Sequence, residues 1–256
     1  MNTLSNLVAS YLSKFGYNNL EIYQKILRET CEVHPQPYSQ SWYGKQYREL
    51  AIKPNWFAKS LIINANMEGY GATQIWAFSQ IAGNEIYAEH IRSHSIDESR
   101  HSKMFVMMLE MMFPDVAKEI GMENLLSLSP GYTKSNHPSK KAPKDGNILS
   151  EANTVEELIH INLIEVRAFI LQMLLRPVLL AYSAKENRKK LSAMSNRLIQ
   201  DEIKHIAYSA SCIEDFARNG NQDFVRASMI NRQAQVNDET LEELELEGIA
   251  VQSELL

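Results

Sequence analysis

Along most of the chain apolar residues recur every three or four positions, the period that places them on one face of an α-helix. Glycine and proline, which interrupt that period, are sparse at 10 and 8 of 256 residues and gather between the periodic stretches. The chain is therefore expected to be all-α. Two short helices are expected first, about Leu4 to Phe15 and Leu20 to Cys31, followed by an irregular piece containing Pro35 and Pro37. A long helix is expected from Pro54, whose ring suits a first-turn position, through Ile81. Gly83 and Asn84 supply a short turn into a second long helix that stops at about Met112, before Pro114. From Ser127 to Asn153 the composition shifts to Ser, Pro, Lys, Gly and Asn, which predicts a long, exposed and partly mobile connection. Two more long helices are expected, about Thr154 to Ser183 and Lys185 to Asn219. The last segment ends in an acidic amphipathic stretch, Glu239 to Glu247, expected as a solvated terminal helix.

Two helix pairs joined by one long connection is the layout of a ferritin-like four-helix bundle, because the crossover must run the length of the bundle to restart the third helix. On that layout 1–256 is one domain. Its bundle core covers about 54–219, its crossover about 127–153 and its acidic C-terminal segment about 220–256, and the N-terminal helices are packing additions.

An apolar share of 45% is ordinary for a chain with a buried core and excludes disorder as the main state. The net charge of -5, with no basic stripe along any expected helix, gives no footprint for nucleic acid. Cys31 and Cys212 are too few for a disulfide framework or a thiolate zinc site, which points to the reducing cytoplasm. No basic and apolar leader is visible. The most apolar run, Phe169 to Tyr182, is interrupted by Arg176 and Pro177, so no membrane span is expected.

The chemistry gathers in a repeated motif. Glu98-Ser99-Arg100-His101 lies in the second long helix and Glu202-Ile203-Lys204-His205 in the fourth. Residues three apart in a helix project about 60° from one another and rise roughly 4.5 Å, so each pair can reach one metal ion or two neighbouring ions. With 24 Glu and 7 His, chance supplies roughly 0.7 such motifs, and the chain has three. The third, Glu157 to His160, sits near a helix start, where glutamate is favoured by the helix dipole in any case. Position raises the signal of the other two. A ferritin-like two-metal site also needs a lone Glu from each remaining helix, and Glu68 and Glu165 stand there, each embedded in apolar sequence where a charge needs a partner or a metal.

The order Glu, Glu-x-x-His, Glu, Glu-x-x-His over about Pro54 to Asn219 resembles the di-iron carboxylate superfamily: the ribonucleotide reductase small subunit, acyl-carrier desaturases and arylamine N-oxygenases. The resemblance implies Glu68, Glu98, His101, Glu165, Glu202 and His205 as metal ligands at a catalytic two-iron centre, with a manganese and iron pair as the variant. It also implies Asp97 and Asp201 as partners that orient a ligand His. Four carboxylates and two imidazoles without thiolate suit iron or manganese. His94 shares a face with Glu98 and His101, one turn beyond them, and reads either as a packed histidine or as an extra ligand or pocket donor, with His90 a further turn out.

The implied activity is that of a non-haem di-iron oxygenase, which activates dioxygen to hydroxylate, N-oxygenate or desaturate a small or carrier-bound substrate. Such an enzyme draws electrons from a donor such as a ferredoxin or a reductase, and a homodimer is compatible with the resemblance. The sequence departs from two branches of the superfamily. The radical subunit of the reductase keeps a Tyr four residues after the first motif's His, where this chain has Phe105, although Tyr208 follows His205 by three. The N-oxygenases keep a seventh ligand where this chain has Leu198. Other readings are an iron-storing or ferroxidase bundle and a helical interaction module with coincidental motifs. Trp42, Tyr43, Trp56 and Trp76 favour a covered pocket over storage. Met104, Met107, Met108, Met111 and Met112 read as core filling, while Gly69 and Gly71 either open space beside Glu68 or admit a close neighbour.

Overall fold

A computed structural model describes residues 4–135 and 148–246, and every regular element among them is helical. The chain is all-α. The helices are α1 (Leu4–Lys14), α2 (Glu21–Val33), α3 (Ser41–Ala51), α4 (Pro54–Ile81), α5 (Glu85–Met112), α6 (Pro114–Ile120), α7 (Met122–Leu126), α8 (Glu151–Tyr182), α9 (Arg188–Phe216) and α10 (Gln222–Leu246). The four long helices α4, α5, α8 and α9 stand where the apolar period places them. Pro54 occupies the first turn of α4, and Asn84 caps α5 by accepting from the backbone N–H groups of Ile86 and Tyr87 at 3.0 and 3.3 Å. Helix α8 starts three residues before the expected Thr154, because the Ser150 hydroxyl accepts from the Asn153 N–H at 3.1 Å and caps the helix there.

Elements beyond the expected set also form. The piece after Pro35 and Pro37 is a single 3-10 turn, Pro37–Ser39, and then α3. Two short helices, α6 and α7, separate α5 from the connection. After α9 the chain kinks through Ala217–Asn221, where Gly220 has a φ of 90°, a backbone conformation that costs glycine little. It then continues as α10 over 25 residues. The acidic Glu242 and Glu243 of α10 are exposed as expected, but its other face buries Val225, Met229, Gln233, Val236, Thr240 and Leu244. Helix α10 is thus a packed element with a solvated acidic end. Glu247 lies outside the described residues, as does the crossover from 136 to 147.

The chain divides into two compact units. One, the α4–α5 unit, comprises residues 49–135, 148–154 and 175–201. Its centre is the antiparallel pair α4 and α5, and the turn between them is tied to the start of α8. There Gly83 N–H donates to Thr154 Oγ1 at 2.9 Å, and Leu149 N–H donates to the Ile81 carbonyl at 2.8 Å. Phe57 stacks on Tyr182 within it at 5.0 Å, and Phe113 meets Phe57 edge-on at 6.0 Å and Tyr182 at a tilt at 5.5 Å. Met104 and Met108 are buried as core filling, whereas Met107 is exposed.

The described start of the crossover lies on this unit rather than standing free. Ser129 Oγ donates to the Ser99 carbonyl at 2.7 Å, Tyr132 N–H donates to Ser99 Oγ at 2.9 Å, and the Tyr132 ring lies 5.6 Å from that of Trp76. The absent side chain of Gly69 makes room for the Leu128 carbonyl; a Cβ there would collide with it. Gly69 therefore admits a close neighbour, and a Cβ on Gly71 would meet open space.

The α2–α10 unit comprises residues 4–48, 155–174 and 202–246. Helix α2 packs on α1 and on α10. Its fully buried residues include Tyr23, and Leu163, Val166 and Phe169 of α8 and Ile203, Ile206 and Ile213 of α9 complete the core. Tyr11 of α1 meets Phe169 edge-on at 5.0 Å. Among the described residues, α8 is the one helix long and apolar enough to cross a membrane, and 61% of its most apolar stretch is buried.

Candidate metal centre

Each unit assembles one lone glutamate and one Glu-x-x-His motif. In the α4–α5 unit Glu68 comes from α4 and Glu98 and His101 from α5. His101 Nδ1 faces both carboxylates, at 3.8 Å from Glu68 Oε2 and 3.6 Å from Glu98 Oε1. Its other nitrogen, Nε2, lies 3.4 Å from Asp201 Oδ2. A proton on Nε2 aimed at Asp201 leaves the Nδ1 lone pair pointing at the carboxylates, the tautomer a metal ligand needs.

Asp201 is fully buried and takes two further donors, Arg100 Nη2 and Arg197 Nε, both at 2.7 Å. The resemblance implies an orienting role for the aspartates, but no motif marks these arginines, which reach Asp201 from positions a helical turn or more away. Asp97 meets the same Arg100, at 2.6 Å. His94 is buried, with Nε2 3.0 Å from Glu98 Oε1.

Burial and clustered carboxylates set the electrostatics of this group. Burial pushes the Glu68 carboxyl well above the usual carboxylate range, and the neighbouring Glu98 pushes it further, with His101 opposing. Burial alone would discharge the His101 imidazole. The charge of Glu98 and the contacts with Asp201, Glu68 and Glu98 outweigh that and hold its pKa well above the ordinary histidine value.

In the α2–α10 unit Glu165 comes from α8 and Glu202 and His205 from α9, all buried. His205 Nδ1 lies 3.3 Å from Glu165 Oε2 and 3.8 Å from Glu202 Oε2. The arrangement repeats that around His101: one imidazole nitrogen faces a lone glutamate and the glutamate one turn before it. Asn162, which belongs to no motif, is buried beside this group. Its signal was a single amide in the apolar run from Leu158 to Val166.

Glu68, His94, Glu98, His101, Glu165, Glu202 and His205 are the residues, among those described, whose donor atoms gather into groups that could hold a metal ion. Six of them are the ligands anticipated from sequence, and the seventh is His94. Glu157 and His160 do not join those groups. His160 is half-buried among Glu239, Arg232, Glu157 and Arg167, and burial holds its imidazole below the usual value. His90 is exposed.

The donor set fits a hard or borderline divalent ion. It offers carboxylate oxygens and imidazole nitrogens without thiolate, and Cys31 and Cys212 lie outside it. Phe105, four residues after His101, is fully buried, and so is Leu198. Comparison with protein-family models, with curated proteins and with solved structures finds no match for the chain.

Proposed function

We propose that this protein is a non-haem di-iron oxygenase with a ferritin-like bundle, oxidising a small or carrier-bound organic substrate with dioxygen. The observation that carries the proposal is the recurrence of one local design. In each unit an imidazole nitrogen faces a lone glutamate and the glutamate one turn before it, within 3.3 to 3.8 Å, in a buried setting. Four carboxylates balance two divalent ions, and the same side chains left without cations would hold clustered charge in the interior.

In this reading Glu68, Glu98, His101, Glu165, Glu202 and His205 hold the two ions, and the bound iron supplies dioxygen reduction. Asp201, fixed by Arg100 and Arg197, would hold the Nε2 proton of His101 and so aim Nδ1 at Glu68 and Glu98, where an ion would displace its proton. The buried Phe105 offers no phenol for a stored radical, which favours direct oxidation of substrate over a radical-storing role. Electrons come from a partner such as a ferredoxin or a reductase.

The test is oxygen uptake by chain reconstituted with ferrous iron under argon, reduced chemically and then mixed with aerated buffer. Oxygen consumption that depends on iron and vanishes in Glu202→Ala supports the proposal. Uptake no faster than that of free ferrous iron contradicts it, and uptake confined to a cage-forming oligomer indicates storage.

A further inference from the structure

One hydrogen bond recurs at the same sequence offset in both units, made by different side chains. In the α4–α5 unit Ser102, the residue after His101, donates from Oγ to the carbonyl of Ala65 at 2.7 Å. Ala65 lies three residues before Glu68. In the α2–α10 unit Asn162, three residues before Glu165, donates from Nδ2 to the carbonyl of Ile206 at 3.1 Å, and Ile206 is the residue after His205. Each bond therefore joins the position one turn before the lone glutamate to the position just after the motif's histidine. The donor sits on the histidine side in one unit and on the glutamate side in the other. All four residues are fully buried.

The Asn162 bond is the more heavily braced. Its Nδ2 also donates to Ser209 Oγ at 2.9 Å, and Ser209 Oγ donates to the His205 carbonyl at 2.7 Å. The Ile206 carbonyl can only accept, and the single Ser209 proton is shared between the His205 and Ile206 carbonyls, at 2.7 and 3.2 Å, so both contacts require the amide nitrogen of Asn162 on that side. Its oxygen then accepts from Tyr23 Oη at 2.9 Å, which brings α2 into the same bridge. Helix α2 is thus more than a packing addition.

We propose that Ser102 and Asn162 are positioning residues that lock the axial register of each lone glutamate against its Glu-x-x-His motif. The inference rests on the metal-binding reading above. A slip of one residue along a helix moves a side chain by about 1.5 Å and turns it by about 100°, whereas ligand distances in a working metal site hold to about 0.2 Å. An apolar contact tolerates such sliding, but a directional hydrogen bond to a backbone carbonyl does not. A buried polar bond beside each triad, at the same offset and with opposite donor side, points to a requirement of the position rather than of one side chain.

The test loads the full chain with cobalt(II) alone under argon and reads affinity and the visible absorption bands of the bound ion. Ser102→Ala and Asn162→Leu are each expected to weaken cobalt binding about 10-fold or more and to shift its bands, with Ser102→Thr restoring both. Ser79→Ala removes a buried hydroxyl bonded within α4, to the Trp76 carbonyl, and is expected to leave cobalt binding unchanged. If Asn162→Leu does not fold, Tyr23→Phe and Ser209→Ala loosen the same bridge more gently and carry its arm of the test. Unaltered affinity and bands in the register variants, whatever their thermal stability, overturn the proposal. Failure of the unaltered chain to bind cobalt instead removes the metal-binding reading, and the register proposal with it.

Discussion

Glu68 and His101 both hold protons more tightly in the folded protein than an exposed carboxyl or imidazole does. A metal ion must displace protons held by these groups, so binding is expected to release protons and to tighten as pH rises. Calorimetry in buffers of different ionisation enthalpy measures the release; binding with no proton release contradicts the account. The sign for folding is opposite in the metal-free chain. A raised value means that the folded state binds the proton more tightly, so the stabilising contribution is full below the ordinary values of 4.5 and 6.5 and fades as pH rises above them. Metal loading removes that loss. Much of this site was legible at the residue scale, because Glu and His carry their chemistry in their identity and their spacing of three is short-range. The Asp201 partners were not. Arg100 and Arg197 look like ordinary surface cations in sequence, and only the packed structure places both on one buried carboxylate.

Among the elements, the long helices were legible because an uninterrupted apolar period of more than twenty residues has one reading. The packed face of helix α10 was hidden for a physical reason: its buried stripe runs Val225, Met229, Gln233, Val236, Thr240 and Leu244, and the two polar members dilute the pattern. Its packed role predicts a cost. Met229 is fully buried, so Met229→Ala is expected to destabilise the protein by about 2 to 5 kcal/mol, read from the denaturant midpoint, whereas a freely solvated helix would give almost no change. The connection after α7 makes a second prediction. Gly69→Ala would drive a Cβ into the Leu128 carbonyl, and backbone cannot yield as a flexible side chain can. The expected loss is about 1 to 3 kcal/mol in the same measurement, while Gly71→Ala, facing open space, is expected to be neutral or slightly stabilising. Equal effects at the two glycines would show that the crossover does not rest on α4.

At the scale of the whole molecule, the all-helical class and the placing of α4, α5, α8 and α9 followed from segment length and period alone. The division into two compact units did not, because α8 and α9 each contribute to both and no break in composition marks the passage. The recurrence of one triad design in the two units is what gives the chain its proposed chemistry, since each unit brings two glutamates and one motif histidine to be satisfied, with His94 added beside Glu98. In the proposed function these six side chains hold two transition-metal ions. Iron loading under argon, followed by removal of loosely held metal and elemental analysis, tests it most directly. About two iron ions per chain are expected, falling below one in a Glu98→Ala, Glu202→Ala double variant. Fewer than one ion per chain in the unaltered protein would contradict it.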